Sequence, residues 1–380
     1  RRRLYRRGVQ IGAGLLRSQV VHRLPEPTPG GRKYAMNEAL QDDFALNQPL
    51  SGFAAEAIAT LDPESPTHAM DVVSVIEATL DNPMAVLYAE QSHARGEKIA
   101  AMKAEGYDYQ DRMDAVEDVE WPQPLAEMLE ALFEIFAPSH PWVSPDALAP
   151  KSVVRDMYER AMTFGEFCAF YKVQRSEGLV LRYLTDAYRA LRQTVPESER
   201  TEELADVISW LGEVVRSTDS SLIDEWEALT HPDAPGAASR PGTTTGEGPR
   251  PVHTFTSNTR AFRVAVRNAM FRRVILAADD DFEALAALEP TGSAMTSDVW
   301  EDALGDYWDE FDEIDDGPDA RSPAFFVVEE SRRGRLWTVR QIINDPDGDH
   351  DWSIAATVDL DECDEAGELV VRTRTFTRLD

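Results

Sequence analysis

A chain of 380 residues, 43% of them hydrophobic, has room for two or three domains with real cores. Its formal net charge of −31 excludes a general polyanion-binding surface, because that binding depends on Lys and Arg displacing counterions from phosphates. No apolar run approaches the ~20 residues of a membrane span, and two distant cysteines, Cys168 and Cys363, give neither a disulfide framework nor a zinc site. A soluble cytoplasmic protein is the expectation.

The charge is unevenly spread. Residues 1–33 carry nine Lys/Arg against one acid, Glu26, whereas residues 34–253 carry 16 against 39 and residues 254–380 carry 13 against 29. Any contact with a nucleic-acid strand must therefore be local.

In chain order, "RRGVQIGAGLLRSQ" suits one helix. "VVHRL", the turn "PEPTPGG" and "RKYAM" then suit a two-stranded hairpin. Helix followed by basic hairpin is the closing part of a winged helix, so residues 1–34 are expected to be a truncated winged-helix remnant. The opening at Arg1 suits a piece of a longer protein better than an export signal, since no small-residue cleavage site follows the twin arginines.

Residues 35–230 read as an array of at least six helices. "SPTHAMDVVSVIEATL" offers Ser65 as N-cap, Pro66 at the first helical position and Met70, Val73 and Ile76 at helical spacing. "PLAEMLEALFEIF", "PKSVVRDMYERAM", "SEGLVLRYLTDAYRALRQ", "TEELADVISWLGEVVRS" and "DSSLIDEWEAL" continue the period. Residues 231–253, dense in Pro, Gly, Ser and Thr, suit a flexible linker.

Residues 254–380 predict an α+β domain. "TRAFRVAVRNAMFRRVILAADDDFEALAAL" is one or two helices, and "TSDVWEDALGDYWDEF" another, with Trp300, Leu304, Tyr307, Trp308 and Phe311 on one face. The period then switches to two in "PAFFVVEES", "LWTVRQIIND", "DWSIAATVDL" and "LVVRTRTFTRL", a four-stranded antiparallel meander. "NDPDGDHDW" lacks the Gly and Glu spacing of a calcium loop and is expected to be a polar turn. The acid-rich stretch 298–319 suits the solvated face of a helix and its tail.

Chemistry-bearing motifs are scarce. No phosphate loop, dinucleotide fingerprint, HExxH or GxSxG occurs, and the seven histidines are scattered, so no catalytic constellation and no metal site are expected. The one positive stretch inside the acidic helical region is 151–192, with eight Lys/Arg against five acids. Lys151 and Arg155 stand near a helix start, while Arg175, Arg182 and Arg189 recur at seven-residue steps with Arg192 beside them. Seven residues return a side chain to nearly the same helix face. Such a row suits bidentate phosphate contact. Pairing with Asp156, Glu159, Glu166, Glu177 and Asp186 is the structural alternative.

The stretches "LDPESPTHAMDVVSVIEATL", "APKSVVRDMYERAMTF" and "RSEGLVLRYLTDAYRALRQTVP" resemble the C-terminal region of actinobacterial superfamily-two DExD/H-box helicases, relatives of the exosome-associated RNA helicases. Glu177, Gly178, Arg182, Leu191, Arg192 and Gln193 carry the likeness in the helix near the end of those proteins. The resemblance covers residues 1 to about 230, and the part from 254 onward resembles a small domain of unknown function, of nuclear-transport-factor-two-like kind, that follows it.

That resemblance implies a non-catalytic accessory region that packs on RecA-like motor domains and contacts the strand, RNA rather than DNA. ATP and magnesium would act in the motor domains, with no cofactor in this chain. The alternative expectation is a protein-interaction module whose α+β domain recruits a partner, with Trp300, Trp308, Trp337 and Trp352 as candidate pocket lining. Core packing is the favoured role for those four.

Overall fold

The computed structural model describes residues 21–24, 33–36, 50–140, 143–144, 146–218, 255–331 and 334–379. The expected helix before residue 20, the helix expected in "DSSLIDEWEAL" and the linker 231–253 lie outside these residues. The architecture is a helical array followed by a small α+β part with a four-stranded antiparallel sheet. Two compact units emerge, Arg1–Arg155 with Cys168–Ile208, and Asp156–Phe167 with Ser209–Asp380. Among the described residues, no helix is long and apolar enough to cross a membrane.

The first unit opens with the expected hairpin. Strands β1 (Val21–Arg23) and β2 (Tyr34–Met36) pair antiparallel, Val21 opposite Met36. Helices α1 (Ser51–Ile58), α2 (His68–Ala78), α3 (Met84–Ala104), α4 (Tyr109–Glu117) and α5 (Ala126–Phe136) follow. Helix α2 begins later than Ser65 and Pro66 suggest. The chain first makes a turn in which the His68 N–H donates to the Ser65 carbonyl, and the Thr67 hydroxyl reaches Asp71 at 2.8 Å.

α6 (Val153–Glu159) and α7 (Phe164–Phe170) are short. The chain leaves the helical region at Ala161 and Lys172, both at positive φ, which an L-residue adopts only at a steric cost. Helices α8 (Glu177–Thr194) and α9 (Glu202–Thr218) complete the array. The core of the first unit gathers Phe53, Val72, Ile76, Leu129, Phe133, Val180, Leu184 and Leu191, all buried. Phe53 meets Phe133 edge-on at 5.3 Å, a geometry that sets the positive ring edge against a negative face.

In the second unit, α10 (Thr259–Ala278), α11 (Phe282–Ala287) and α12 (Ser297–Trp308) precede the sheet. Each starts at a side-chain cap, where Asn258, Asp281 and Thr296 accept from the N–H of Ala261, Ala284 and Val299, three residues on. Such a cap is worth about 1 kcal/mol. The strands β3 (Phe326–Glu330), β4 (Leu336–Ile342), β5 (Trp352–Asp359) and β6 (Arg372–Arg378) form an antiparallel sheet in sequence order. A two-turn helix, α13 (Leu360–Ala366), interrupts the meander between β5 and β6. In β4 the buried residues Trp337, Val339 and Gln341 alternate with exposed neighbours, the period-two pattern of a half-buried strand.

Trp300, Leu304 and Tyr307 enter the core from α12 against Trp337, Val339 and Ile354 of the sheet. The acid-rich stretch is thus a buried apolar face with acids outside it. The 344–352 loop is a turn between β4 and β5. The Asp345 carboxylate accepts from the N–H of Asp349 and His350, at 3.0 and 2.7 Å, and Gly348 takes positive φ.

Candidate nucleic-acid interface

Helix α8 has the apolar spacing of a half-buried helix. Val180, Tyr183, Leu184, Ala187, Tyr188 and Leu191 recur at three- and four-residue steps and are buried. The opposite face must then meet water, and the arginines fall there. The helix ends at Val195, which is extended because Pro196 follows it.

Arg182 is 84% exposed, and its Nε lies 3.9 Å from Asp186 Oδ2. Arg189 is half-buried and lies 3.9 Å from the same carboxylate. These are long contacts between neighbours on one helix, a kind of pair worth about 0.3–0.5 kcal/mol. Burial raises the Asp186 carboxyl above its ordinary value, while Arg189 and Arg182 pull it down. Arg192 donates to the Tyr188 hydroxyl at 3.0 Å, with its guanidinium 5.6 Å from the Tyr188 ring centre. That contact holds the planar group in a defined place.

Arg175 is exposed but stands in the 3₁₀ turn Gln174–Ser176, ahead of the helix. The heptad step that links it to Arg182 therefore crosses a change of backbone geometry. Sequence reasoning missed Arg200. It is exposed, and its Nη2 donates to the carbonyls of Arg192 and Val195 at 2.6 and 3.1 Å, closing the C-terminal end of α8. A basic residue just past a helix end was the signal, since cations satisfy its unpaired carbonyls.

The other two predicted residues are placed differently. Arg155 is partly buried and pairs with Asp71 at 3.0 Å, with Ser74 Oγ at 3.1 Å. Lys151 is 1% exposed, and its ammonium donates to the carbonyls of Leu80 and Ala149, both at 2.8 Å. Both belong to an interior polar group centred on Glu77, which sequence reasoning also missed. A carboxylate inside the apolar run "VVSVIEATL" was its only signal.

Glu77 is fully buried and accepts from the N–H of Val154 (2.8 Å), the N–H of Arg155 (3.1 Å) and the Tyr183 hydroxyl (2.8 Å). It thus caps the first turn of α6 and ties it to α2 and α8. Burial pushes the Glu77 carboxyl up and the Lys151 ammonium down. The structure therefore brings Arg182, Arg189 and Arg192 together on α8 with Arg175 and Arg200 at its ends, and turns Lys151 and Arg155 inward.

In the second unit, Trp300, Trp337 and Trp352 are core residues, as their favoured role had it. Trp308 is partly buried, and its indole N–H donates to Asp280 at 3.0 Å. No group of three or more His, Cys, Asp or Glu side chains that could hold a metal ion occurs among the described residues.

No curated protein and no solved structure matches the chain. A family model described as a domain of unknown function, DUF3516, matches residues 1–376, and the chain belongs to that family.

Proposed function

We propose that the chain is the non-catalytic C-terminal accessory region of an ATP-dependent helicase, with α8 contacting the translocated strand. The carrying observation is the α8 surface, where guanidiniums face solvent on an otherwise strongly acidic segment. Arg182, exposed and in a long contact with Asp186, can trade that carboxylate for phosphate oxygens, which a guanidinium binds bidentately. The buried Tyr188 accepts from Arg192 at 3.0 Å and so fixes where that guanidinium stands on the same helix. The stretches quoted for the helicase resemblance include this helix, and they favour RNA over DNA. ATP and magnesium would act in motor domains, and the accessory region would hold and guide the strand.

The test is titration of a fluorescent single-stranded RNA and its DNA counterpart over a range of KCl concentrations. Each phosphate contact on a single strand contributes about 0.7 to the slope of log affinity against log salt. Arg182→Ala with Arg189→Ala is expected to lower the slope by about 1.4 and, in the helicase itself, to weaken strand-stimulated ATP hydrolysis. An unchanged slope together with unchanged ATP hydrolysis would leave the stripe an ion-paired face and end this reading.

The second reading, an interaction module acting through the α+β part, has a different observation behind it. The second unit contains an open cleft with apolar walls.

A further inference from the structure

The solvent face of α8 is a stripe. Gly178, Leu179, Arg182, Asp186, Arg189 and Gln193 recur at steps of three and four, which keep side chains on one side of a helix, and none of them is buried. Asp186 is the acid among them. Arg182 stands one turn before it and Arg189 one turn after, so about 10.5 Å of helix axis separates the two arginines. Both guanidiniums nevertheless approach the same carboxylate, Arg182 Nε towards Oδ2 and Arg189 Nη1 towards Oδ1, each at 3.9 Å.

Neither contact is short enough for a hydrogen bond, and no other donor reaches the Asp186 carboxylate among the described residues. The side chain is 46% exposed, so its oxygens are open to a ligand. Burial raises the Asp186 carboxyl more than Arg189 and Arg182 lower it. Asp81, exposed in the turn after α2, adds to the rise. The two cations thus leave the negative charge under-compensated, and a further hydrogen-bond donor would stabilise the ionised form.

A strand whose phosphates lie on Arg182 and Arg189 passes the sugar between them over Asp186. In DNA that sugar offers only C–H groups, and the carboxylate meets phosphate charge with nothing to offset it. In RNA it carries a 2′-hydroxyl, which donates, and an ionised carboxylate only accepts.

We infer that Asp186 is the residue that separates RNA from DNA on this surface, which rests on α8 being the strand-facing helix. Its carboxylate accepts from the 2′-hydroxyl of the ribose spanning Arg182 and Arg189, and it repels a deoxy strand at the same place. The acid that holds the arginines in the free chain is then also what makes them selective.

Fluorescence anisotropy of the full chain with three labelled strands tests this: oligo(U), oligo(dU) and 2′-fluoro oligo(U), of one length and in one KCl buffer. The fluoro strand keeps an RNA-like sugar shape but lacks the donor. Oligo(U) is expected to bind about tenfold more tightly than either of the others, the size of one hydrogen bond to a charged group. In Asp186→Ala the three affinities should fall within about twofold of one another, chiefly because oligo(dU) gains. The fluoro comparison uses the native chain, so it decides even where Asp186→Ala fails to fold. Equal affinity for oligo(U) and oligo(dU), a fluoro strand bound as tightly as oligo(U), or a preference that survives Asp186→Ala would each overturn the assignment. If the salt slope still depends on Arg182 and Arg189 in those cases, α8 stays strand-facing and only the role of Asp186 is lost. Absence of binding by all three strands ends both.

Discussion

Two arginine-bearing helices meet opposite fates in this molecule. Helix α8 carries three arginines and keeps them at or near the surface, tethered by contacts of 3.9 Å to Asp186 or by stacking on Tyr188. Helix α10 is no less basic, with Arg260, Arg263, Arg267, Arg272 and Arg273, but turns two of them into the core of its unit. Arg273 is 2% exposed and donates to Glu289, to Thr373 Oγ1 at 2.8 Å and to the Ala269 carbonyl at 2.8 Å. Arg267 donates to the Tyr158 hydroxyl at 3.0 Å. The difference shows that arginine density carries little functional information. A guanidinium enclosed by fixed partners holds a fold together, whereas one in loose contact with water is available to a ligand.

The sharpest way to break that contrast is to remove the partner of a buried guanidinium. The Glu289 side chain is 2% exposed and also accepts from the Thr373 N–H at 2.9 Å. Glu289→Ala is expected to destabilise the fold by about 3–5 kcal/mol, because Arg273 would stay charged and uncompensated. A urea melt followed by tryptophan fluorescence reads this as a large fall in midpoint. Replacing Arg273 by Met in the same variant should recover much of the loss.

The buried carboxylate of the first unit gives the next largest effect. Glu77→Gln keeps one acceptor oxygen but turns an amide NH₂ against groups that donate, for an expected loss of about 1–3 kcal/mol. Burial raises the Glu77 carboxyl from its ordinary value to about 7. The folded state therefore holds that proton more tightly than the unfolded chain does. Its contribution to stability is complete below pH ~4.5 and is lost as the pH rises to about 7. Melts across that window should show this slope in the native chain and its loss in the Gln variant.

Much of the fold was legible because periodicity survives folding wherever one face is buried. The switch from helical spacing to alternation near residue 325 marks the start of the sheet, and β4 keeps that alternation residue by residue. The helix around Val153 is shorter than its pattern, because Ala161 adopts positive φ, a local event that composition does not encode. The candidate surface was half legible. Heptad spacing places Arg182 and Arg189 together, but nothing in the sequence separates exposed Arg182 from buried Lys151. That distinction rests on the carbonyls of Leu80 and Ala149, and Leu80 stands 71 residues away in the chain. The apolar cleft of the second unit was not legible at all. The alanines that line it on α10, Ala261, Ala265 and Ala269, read as good helix formers, and the hollow exists only where segments distant in sequence fail to fill the space above them.

A smaller effect belongs to a partly open charge cluster in the second unit. Asp364 accepts from the Thr256 N–H and hydroxyl at 2.9 and 3.0 Å and from Arg335 at 2.6 Å. Burial raises its carboxyl, but the Arg335 and Thr256 donors outweigh that and hold it below its ordinary value. The stability it supplies is present above pH ~3.8 and disappears as the pH falls through the lowered value. Asp364→Asn should cost about 1 kcal/mol at neutral pH, limited by solvent screening at the Arg335 end. Melts in acid should show that deficit vanishing.

The smallest effect is the one that sharpens the comparison most. Arg182→Ala is expected to change stability by no more than ~0.5 kcal/mol, because an 84%-exposed side chain with one long contact holds nothing in place. The same substitution should produce a measurable fall in the salt slope of strand binding, by about 0.7 if Arg182 meets one phosphate. Stability and binding thus respond in opposite order on the two helices. Changes to the buried ion pair of α10 cost folding energy and leave strand affinity per folded molecule unchanged, whereas changes on α8 do the reverse. A loss of stability in Arg182→Ala comparable to that in Glu289→Ala would collapse the distinction, and with it the case for α8 as a strand-facing surface.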